Sequence, residues 1–117
     1  MIPIHNLPRN DAGAASCVLS DIDDTLTLDG RLLPESFDAL WRLKEAGIVV
    51  VPVTGRPAGW CDCILREWPV DAIVGENGAF CWYYVDGTIF ELVHPEATES
   101  MEDRLSMLSD TVLERFP

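Results

Sequence analysis

The sequence predicts an α/β fold, a partial Rossmann-like parallel sheet with flanking helices followed by a β-hairpin. Short apolar runs alternate with segments of helical periodicity in the order strand, helix, strand, helix, strand. That order implies parallel strands joined by right-handed crossovers. The run Ile48-Val49-Val50-Val51-Pro52-Val53 is apolar throughout and largely β-branched, as suits a strand covered on both faces. Asp86-Gly87, set between two strand-like runs, is a strong hairpin signature.

Taken in order, residues 1–15 carry Pro3, Pro8 and Gly13 with little periodicity and read as a flexible tail. Cys17-Val18-Leu19-Ser20 is expected to be a buried strand running into the polar loop Asp21-Ile22-Asp23-Asp24, which continues through the turn signal Asp29-Gly30. Pro34-Glu35-Ser36 opens a helix, since proline suits the first turn and acids favour the N-terminal pole. Phe37, Leu40, Trp41 and Leu43 share a face of it, and Gly47 stands at its C-terminal cap. In the next strand Pro52 lacks a ladder donor, so a sheet edge or irregularity is expected there. Thr54-Gly55-Arg56-Pro57 forms a turn, and a helix covers Ala58 to Glu67, with Pro69 ending it. Asp71 to Val74 supplies a third strand, stopped by Gly75-Glu76-Asn77-Gly78, and Ala79 to Val85 and Thr88 to Val93 form the hairpin. Met101, Leu105, Leu108, Val112 and Phe116 recur at helical steps, with Ser100 and Asp103 as an N-terminal cap. The domain organisation expected is a tail over 1–15, a core over 16–95 and a helix over 96–117. Trp41, Trp60, Trp68 and Trp82 are expected to be packing residues.

The chain has 117 residues, 48% of them hydrophobic and 24% charged, which suits one globular domain. Its formal net charge of −12 argues against nucleic acid as a partner. No apolar run is long enough to cross a bilayer, and Met1-Ile2-Pro3-Ile4-His5 lacks a secretory signal's pattern, so a cytoplasmic location and no membrane partner are expected. Cys17, Cys61, Cys63 and Cys81 are expected to be reduced thiols; Cys61-Asp62-Cys63 is not a paired zinc pattern.

In a parallel sheet the carboxyl ends of the strands share an edge, and ligands bind there. Asp21 to Thr25, Thr54 to Arg56 and Gly75 to Gly78 should therefore meet. Two carboxylates two residues apart, Asp21 and Asp23, suit phosphoryl transfer, where one attacks phosphorus and its neighbour moves protons. Magnesium suits such a pair, because it takes few protein carboxylates and keeps water and phosphate in its shell. A cation would also reconcile an acidic chain with an anionic substrate.

Val18-Leu19-Ser20-Asp21-Ile22-Asp23-Asp24-Thr25-Leu26 resembles the first signature of the haloacid dehalogenase (HAD) superfamily, an apolar strand followed by Asp-x-Asp-x-Thr. Ile48 to Thr54 is similar to the second, and Thr54-Gly55-Arg56 followed by Gly75 to Ala79 resembles the type IIB, Cof-like branch. The resemblance covers roughly residues 17–95. It implies a HAD-like core with an α/β cap inserted after the hairpin, whose beginning the last helix would be. It implies a magnesium-dependent phosphomonoesterase of small phosphorylated metabolites, such as a sugar phosphate. Asp21 would attack phosphorus, form an aspartyl-phosphate and bind Mg2+. Asp23 would act as acid and base and bind Mg2+ through its backbone carbonyl. Thr54 would bond a phosphoryl oxygen and Thr25 brace the loop; Asp24 receives no role. Gly55, Arg56 and Asn77 are candidates for contacts to the substrate phosphate. For Arg56 an ion pair with a nearby carboxylate stands as an alternative, and for Asn77 a turn-capping role.

Two family elements have no counterpart. Lys44 is the only lysine and precedes the second motif, and Glu102-Asp103 falls in the last helix where a paired acidic motif would be needed. The expectation is a truncated member, weakly active or inactive alone, with self-association through uncovered apolar surface. The competing reading is a non-catalytic metal- or phosphate-binding module, or the remnant of a phosphatase. A receiver domain fails for want of an aspartate ending the third strand and a C-terminal lysine. A calcium loop fails at Leu26, where a glycine is required. No phosphate-binding P-loop occurs.

Overall fold

The computed structural model describes Asn6, Pro8 and residues 13–95 and 99–115, with the side chains of Glu99, Ser100, Glu102 and Leu113 outside the description. Most of the expected tail, and Phe116 of the last helix, also lie outside the described residues.

One sheet organises the described chain. Its strands β1 (Cys17–Asp21), β4 (Val49–Val53), β5 (Ala72–Gly75), β6 (Phe80–Val85) and β7 (Thr88–Val93) lie in the order β1-β4-β5-β6-β7. The first three are parallel and the hairpin extends the sheet antiparallel. Helix α1 (Pro34–Glu45) connects β1 to β4, and α2 (Ala58–Glu67) connects β4 to β5. A small two-stranded flap, β2 (Thr27–Leu28) paired with β3 (Arg31–Leu32), leaves the loop after β1. Helix α3 (Glu99–Arg115) follows the hairpin. Ser100 falls inside this helix rather than at its cap.

The helix boundaries follow from local chemistry. Pro34 opens α1 with Glu35 in the first turn, and Arg42 and Lys44 sit in the last. Gly47 takes φ +73°, its N–H donates to Lys44 and that of Ile48 to Leu43, closing a Schellman cap. Asp29-Gly30 and Asp86-Gly87 both place two residues at positive φ, which turns the flap and the hairpin tightly.

Register separates the two faces of the sheet. Val50 and Pro52 of β4, Ile73 and Gly75 of β5, and Phe80 of β6 are buried. Val50, Ile73 and Phe80 meet Leu40 of α1 and Cys61, Ile64 and Leu65 of α2 in one core. The alternate residues face away from it. Leu19 pairs with Val51, while Val53, Val74, Cys81 and Leu92 align across four strands. Leu19 is 67% exposed and Leu92 60%. The expected burial of β1 is thus corrected: its burial alternates because among the described residues it is an edge strand with β4 as its neighbour and one covered face. The same correction applies to β4, whose apolar run is covered on the helix side alone, with Val49 exposed and Val51 half-buried. Trp41 and Trp60, expected as packing residues, are exposed, whereas Trp68 and Trp82 pack against the core.

Pro52 marks an irregularity inside the sheet rather than at its edge. Val50 and Thr54 turn their N–H groups toward β5, so the donor that Pro52 lacks would have pointed there too. Asp71 compensates. Its carboxylate accepts the Val50 N–H at 2.9 Å and a hydrogen bond from Lys44 Nζ at 3.3 Å, while its own N–H donates to the Val50 carbonyl. Lys44 therefore ties α1 to the start of β5, at the end of the sheet away from the strands' carboxyl ends.

Candidate active site at the carboxyl edge of the sheet

Three loops leave the carboxyl ends of β1, β4 and β5 side by side, and the sequence expectation that they meet is met. A cleft of about 280 Å³ lies among them, lined by Asp21, Val53, Thr54, Gly55, Asn77 and Gly78. Asp21 pairs in register with Val53 and is exposed, so its carboxylate stands at the mouth.

The loop after β1 is folded around one acceptor. The Ile22 carbonyl takes the N–H groups of Thr25, Leu26 and Thr27 and the Thr27 hydroxyl at 3.0 Å. Ile22 itself is fully buried. The brace expected from Thr25 is thus made by the buried Thr27 side chain, and Thr25 is exposed. Asp24 has φ +57°, a left-handed conformation that aspartate tolerates better than most residues. The backbone conformation by itself gives a physical reason for aspartate at this position.

Thr54 is buried and bound from three sides. Its N–H donates to the Val74 carbonyl at 2.9 Å, its carbonyl accepts from the Asn77 N–H at 3.1 Å, and its hydroxyl accepts from the Arg56 N–H at 3.1 Å. The hydroxyl keeps its own hydrogen as a donor. Gly55 matters for its missing side chain, because a Cβ there would meet the Asn77 Oδ1 at 3.0 Å. Asn77 therefore lies across Gly55 on the floor of the cleft.

Asp23 is not at that floor. Its carboxylate is gripped by Arg56, with Nη2 at 2.6 Å from one oxygen and Nε at 3.2 Å from the other. The Arg56 guanidinium also lies 5.0 Å from the centre of the Trp60 ring. Hydrogen bonding to Arg56 holds the Asp23 carboxyl below the usual carboxylate range, against a smaller opposing effect of desolvation. Of the residues expected to act together, Asp21, Thr54, Gly55 and Asn77 share the cleft, while Asp23 and Arg56 hold each other beside it.

Asp21 and the Asp23 backbone carbonyl offer hard oxygen donors, the kind Mg2+ takes. Among the described residues no group of three acidic, histidine or cysteine side chains converges on a metal position, so these two donors would supply only part of a magnesium coordination shell.

Parallel strands whose carboxyl ends gather an aspartate, a buried threonine and a glycine-rich turn define a Rossmann-like domain with a carboxylate site at its edge. Comparison with known proteins narrows that class. Residues 18–110 match the haloacid dehalogenase-like hydrolases, and the chain belongs to that family, in its Cof-type branch. It is 33% identical over 103 residues to a phosphoglycolate phosphatase of Pyrobaculum aerophilum, a match that covers 85% of this chain and 43% of that protein. A phosphoglycolate phosphatase of Pyrobaculum neutrophilum is 34% identical over 82 residues, with 68% and 35% covered. Among solved structures, a HAD superfamily phosphatase of Bacteroides thetaiotaomicron superposes with a TM-score of 0.62 at 28% identity, over 96% of this chain and 40% of that one. A haloacid dehalogenase-like hydrolase of Bacillus subtilis shares the fold, with a TM-score of 0.63 at 23% identity, over 82% and 34% of the two chains. The chain spans less than half the length of these relatives. Among the described residues no helix is long and apolar enough to cross a membrane.

Proposed function

We propose that this chain carries the nucleophile half of a magnesium-dependent phosphomonoesterase acting on a small phosphorylated metabolite, such as a sugar phosphate or a small phosphorylated acid. The observation that supports it best is that Asp21 and Thr54 line one cleft at the carboxyl edge of the sheet. In this reading the Asp21 carboxylate attacks the substrate phosphorus and the alcohol departs, leaving an aspartyl-phosphate. Thr54 donates its hydroxyl hydrogen to a phosphoryl oxygen, and Gly55 and Asn77 shape the floor beside it. Asp23 serves the proton transfers. Held by Arg56 as a carboxylate, it is in the state that draws a proton from the hydrolytic water. The earlier protonation of the leaving alcohol requires the Asp23–Arg56 pair to open.

A bound Mg2+, held by the Asp21 carboxylate and the Asp23 carbonyl, would supply positive charge against the phosphoryl oxygens. In a chain of net charge −12 the phosphate needs such a counter-charge. The same reading takes residues 16–95 as the core and the helix over 96–117 as the beginning of a cap. It places the protein in the cytoplasm, with no nucleic-acid or membrane partner and with self-association through its open apolar surface.

The test is hydrolysis of a generic aryl phosphate with and without Mg2+. Turnover that needs the metal and disappears in Asp21→Asn is the expected result, with turnover by the chain alone slow because Lys44 is committed to Asp71 at the opposite end of the sheet. Equal turnover by Asp21→Asn would refute the assignment. Binding of Mg2+ or phosphate without turnover would instead favour the non-catalytic module.

A further inference from the structure

Helix α2 begins without a cap of its own. Pro57 precedes it with no side-chain hydrogen bond to the first turn, and that turn carries no acid. The need is met from 18 residues downstream, where Glu76 Oε1 accepts the Ala58 N–H at 3.1 Å. The backbone of Glu76 reaches the same place, since its N–H donates to the Arg56 carbonyl at 3.2 Å. That carbonyl also accepts from the buried Cys61 thiol at 3.6 Å. One residue of the β5 loop is thus bonded both to the backbone of Arg56 and to the helix turn that carries Trp60.

The backbone of this loop is unusual. Glu76 and Asn77 take φ +49° and +58°, and Gly78 follows at +99°. Two successive non-glycine residues in the left-handed region are unfavourable unless the surroundings hold them there, and such outliers gather where geometry serves function. Nothing in the composition of the loop demands glutamate for the turn itself, because asparagine, aspartate or glycine would adopt it more readily. What glutamate adds is reach.

We propose that Glu76 is a positioning residue that keeps Arg56 on Asp23, by fixing the Arg56 backbone and the Trp60 turn on which the guanidinium rests. The chain of contacts is Glu76 to Ala58 and Arg56, Arg56 over Trp60, and Arg56 to both oxygens of Asp23. Its consequence for turnover rests on the phosphatase reading; the placement of Arg56 does not.

Three variants test the proposal. Glu76→Gln keeps an oxygen that can accept from Ala58, whereas Glu76→Ala removes it. Ala58→Pro removes the donor instead, at a first helical position that tolerates proline, after a Pro57 already extended at φ −70° and ψ 161°. The primary readout is the Arg56 Nε–H NMR resonance of the 117-residue chain, assigned by its loss in Arg56→Gln, with circular dichroism confirming the fold. The resonance should shift and broaden in Glu76→Ala and in Ala58→Pro, and stay near its wild-type position in Glu76→Gln. An unchanged resonance in Glu76→Ala, or equal loss in Glu76→Gln, overturns the proposal. Should Glu76→Ala fail to fold, Ala58→Pro decides by the same criterion. Where the chain turns over aryl phosphate, Glu76→Ala should lower kcat by about 10- to 100-fold with KM little changed, and adding it to Arg56→Gln should cost nothing more. Additive losses in the double variant would mean that Glu76 does not act through Arg56. Absence of turnover in the wild type would count against the phosphatase reading alone, with the Arg56 resonance still deciding the role of Glu76.

Discussion

Asp23 and Arg56 lie 33 residues apart, yet a short two-pronged ion pair joins them. Replacing Arg56 by Gln removes both hydrogen bonds and the positive charge that hold the Asp23 carboxyl low. The Asp23 carboxyl should then titrate at higher pH, toward the ordinary aspartate range, as followed by 13C shifts of its side chain. A depressed carboxyl in the folded state adds stability above the unfolded-state value, and that stability is lost as pH falls through the folded-state value. The wild type should therefore lose this contribution on the acid side of the ordinary aspartate range, and Arg56→Gln should show no such loss from Asp23. An unmoved Asp23 titration in the variant would mean that the pair is not populated in solution. The sequence alone does not pair them, because loops from different strands carry no periodicity that reports their meeting. What sequence could supply was the narrower statement that an arginine in a turn is as able to meet a carboxylate as a phosphate. Asp24 adds a complementary case, since its φ of +57° gives a backbone reason for aspartate there.

At the level of elements, Gly75 sits where the core meets the cleft. It ends β5 and is buried, and a Cβ placed there would come within 2.8 Å of Cys61 Sγ and closer still to the Phe80 ring. Neither neighbour has free space, as Cys61 is fully buried and Phe80 nearly so. Gly75→Ala should therefore overpack this junction and cost about 1–3 kcal/mol, measured by urea unfolding. A change below about 0.5 kcal/mol would show that β5 relaxes where the structure holds it rigid. The elements that sequence anticipated best were those with a local cause. Gly47 closes α1 by its own positive φ, Asp86-Gly87 turns the hairpin, and the valine run of β4 announces a strand. The flap carries no signal in the sequence, because strands of two residues are shorter than any alternation that could betray them. The distant capping of α2 by Glu76 is illegible for another reason, since the usual signal is a polar residue directly before the helix and Pro57 stands there instead.

The whole molecule is defined by an asymmetry between the two sides of its sheet. Helices cover one face, while the other presents Leu19 and Val49 beside Val51 and Val53 and runs on to Phe90 and Leu92 across the hairpin. Parallel strands are ordinarily covered on both sides, and among the described residues β1 adds an unpaired edge along its outer side. The described side chains of α3 are exposed as well, including the apolar positions Met101, Leu105, Leu108 and Val112. Exposed apolar surface of this kind favours association, although a net charge of −12 opposes it by mutual repulsion. Salt separates the two effects, because it screens the charge and leaves the apolar attraction in place. Sedimentation of the 117-residue chain should accordingly show larger species as ionic strength rises from about 0.01 to 0.15 M, over which the screening length falls from about 30 to 8 Å. Leu19→Lys, placed on the open face of the edge strand, should restore the monomer at the higher salt without lowering the unfolding midpoint, since the leucine it replaces contributes little to the core. Dissociation of the larger species by added salt would point instead to charge pairing between copies, and the open sheet face would then have no part in bringing them together.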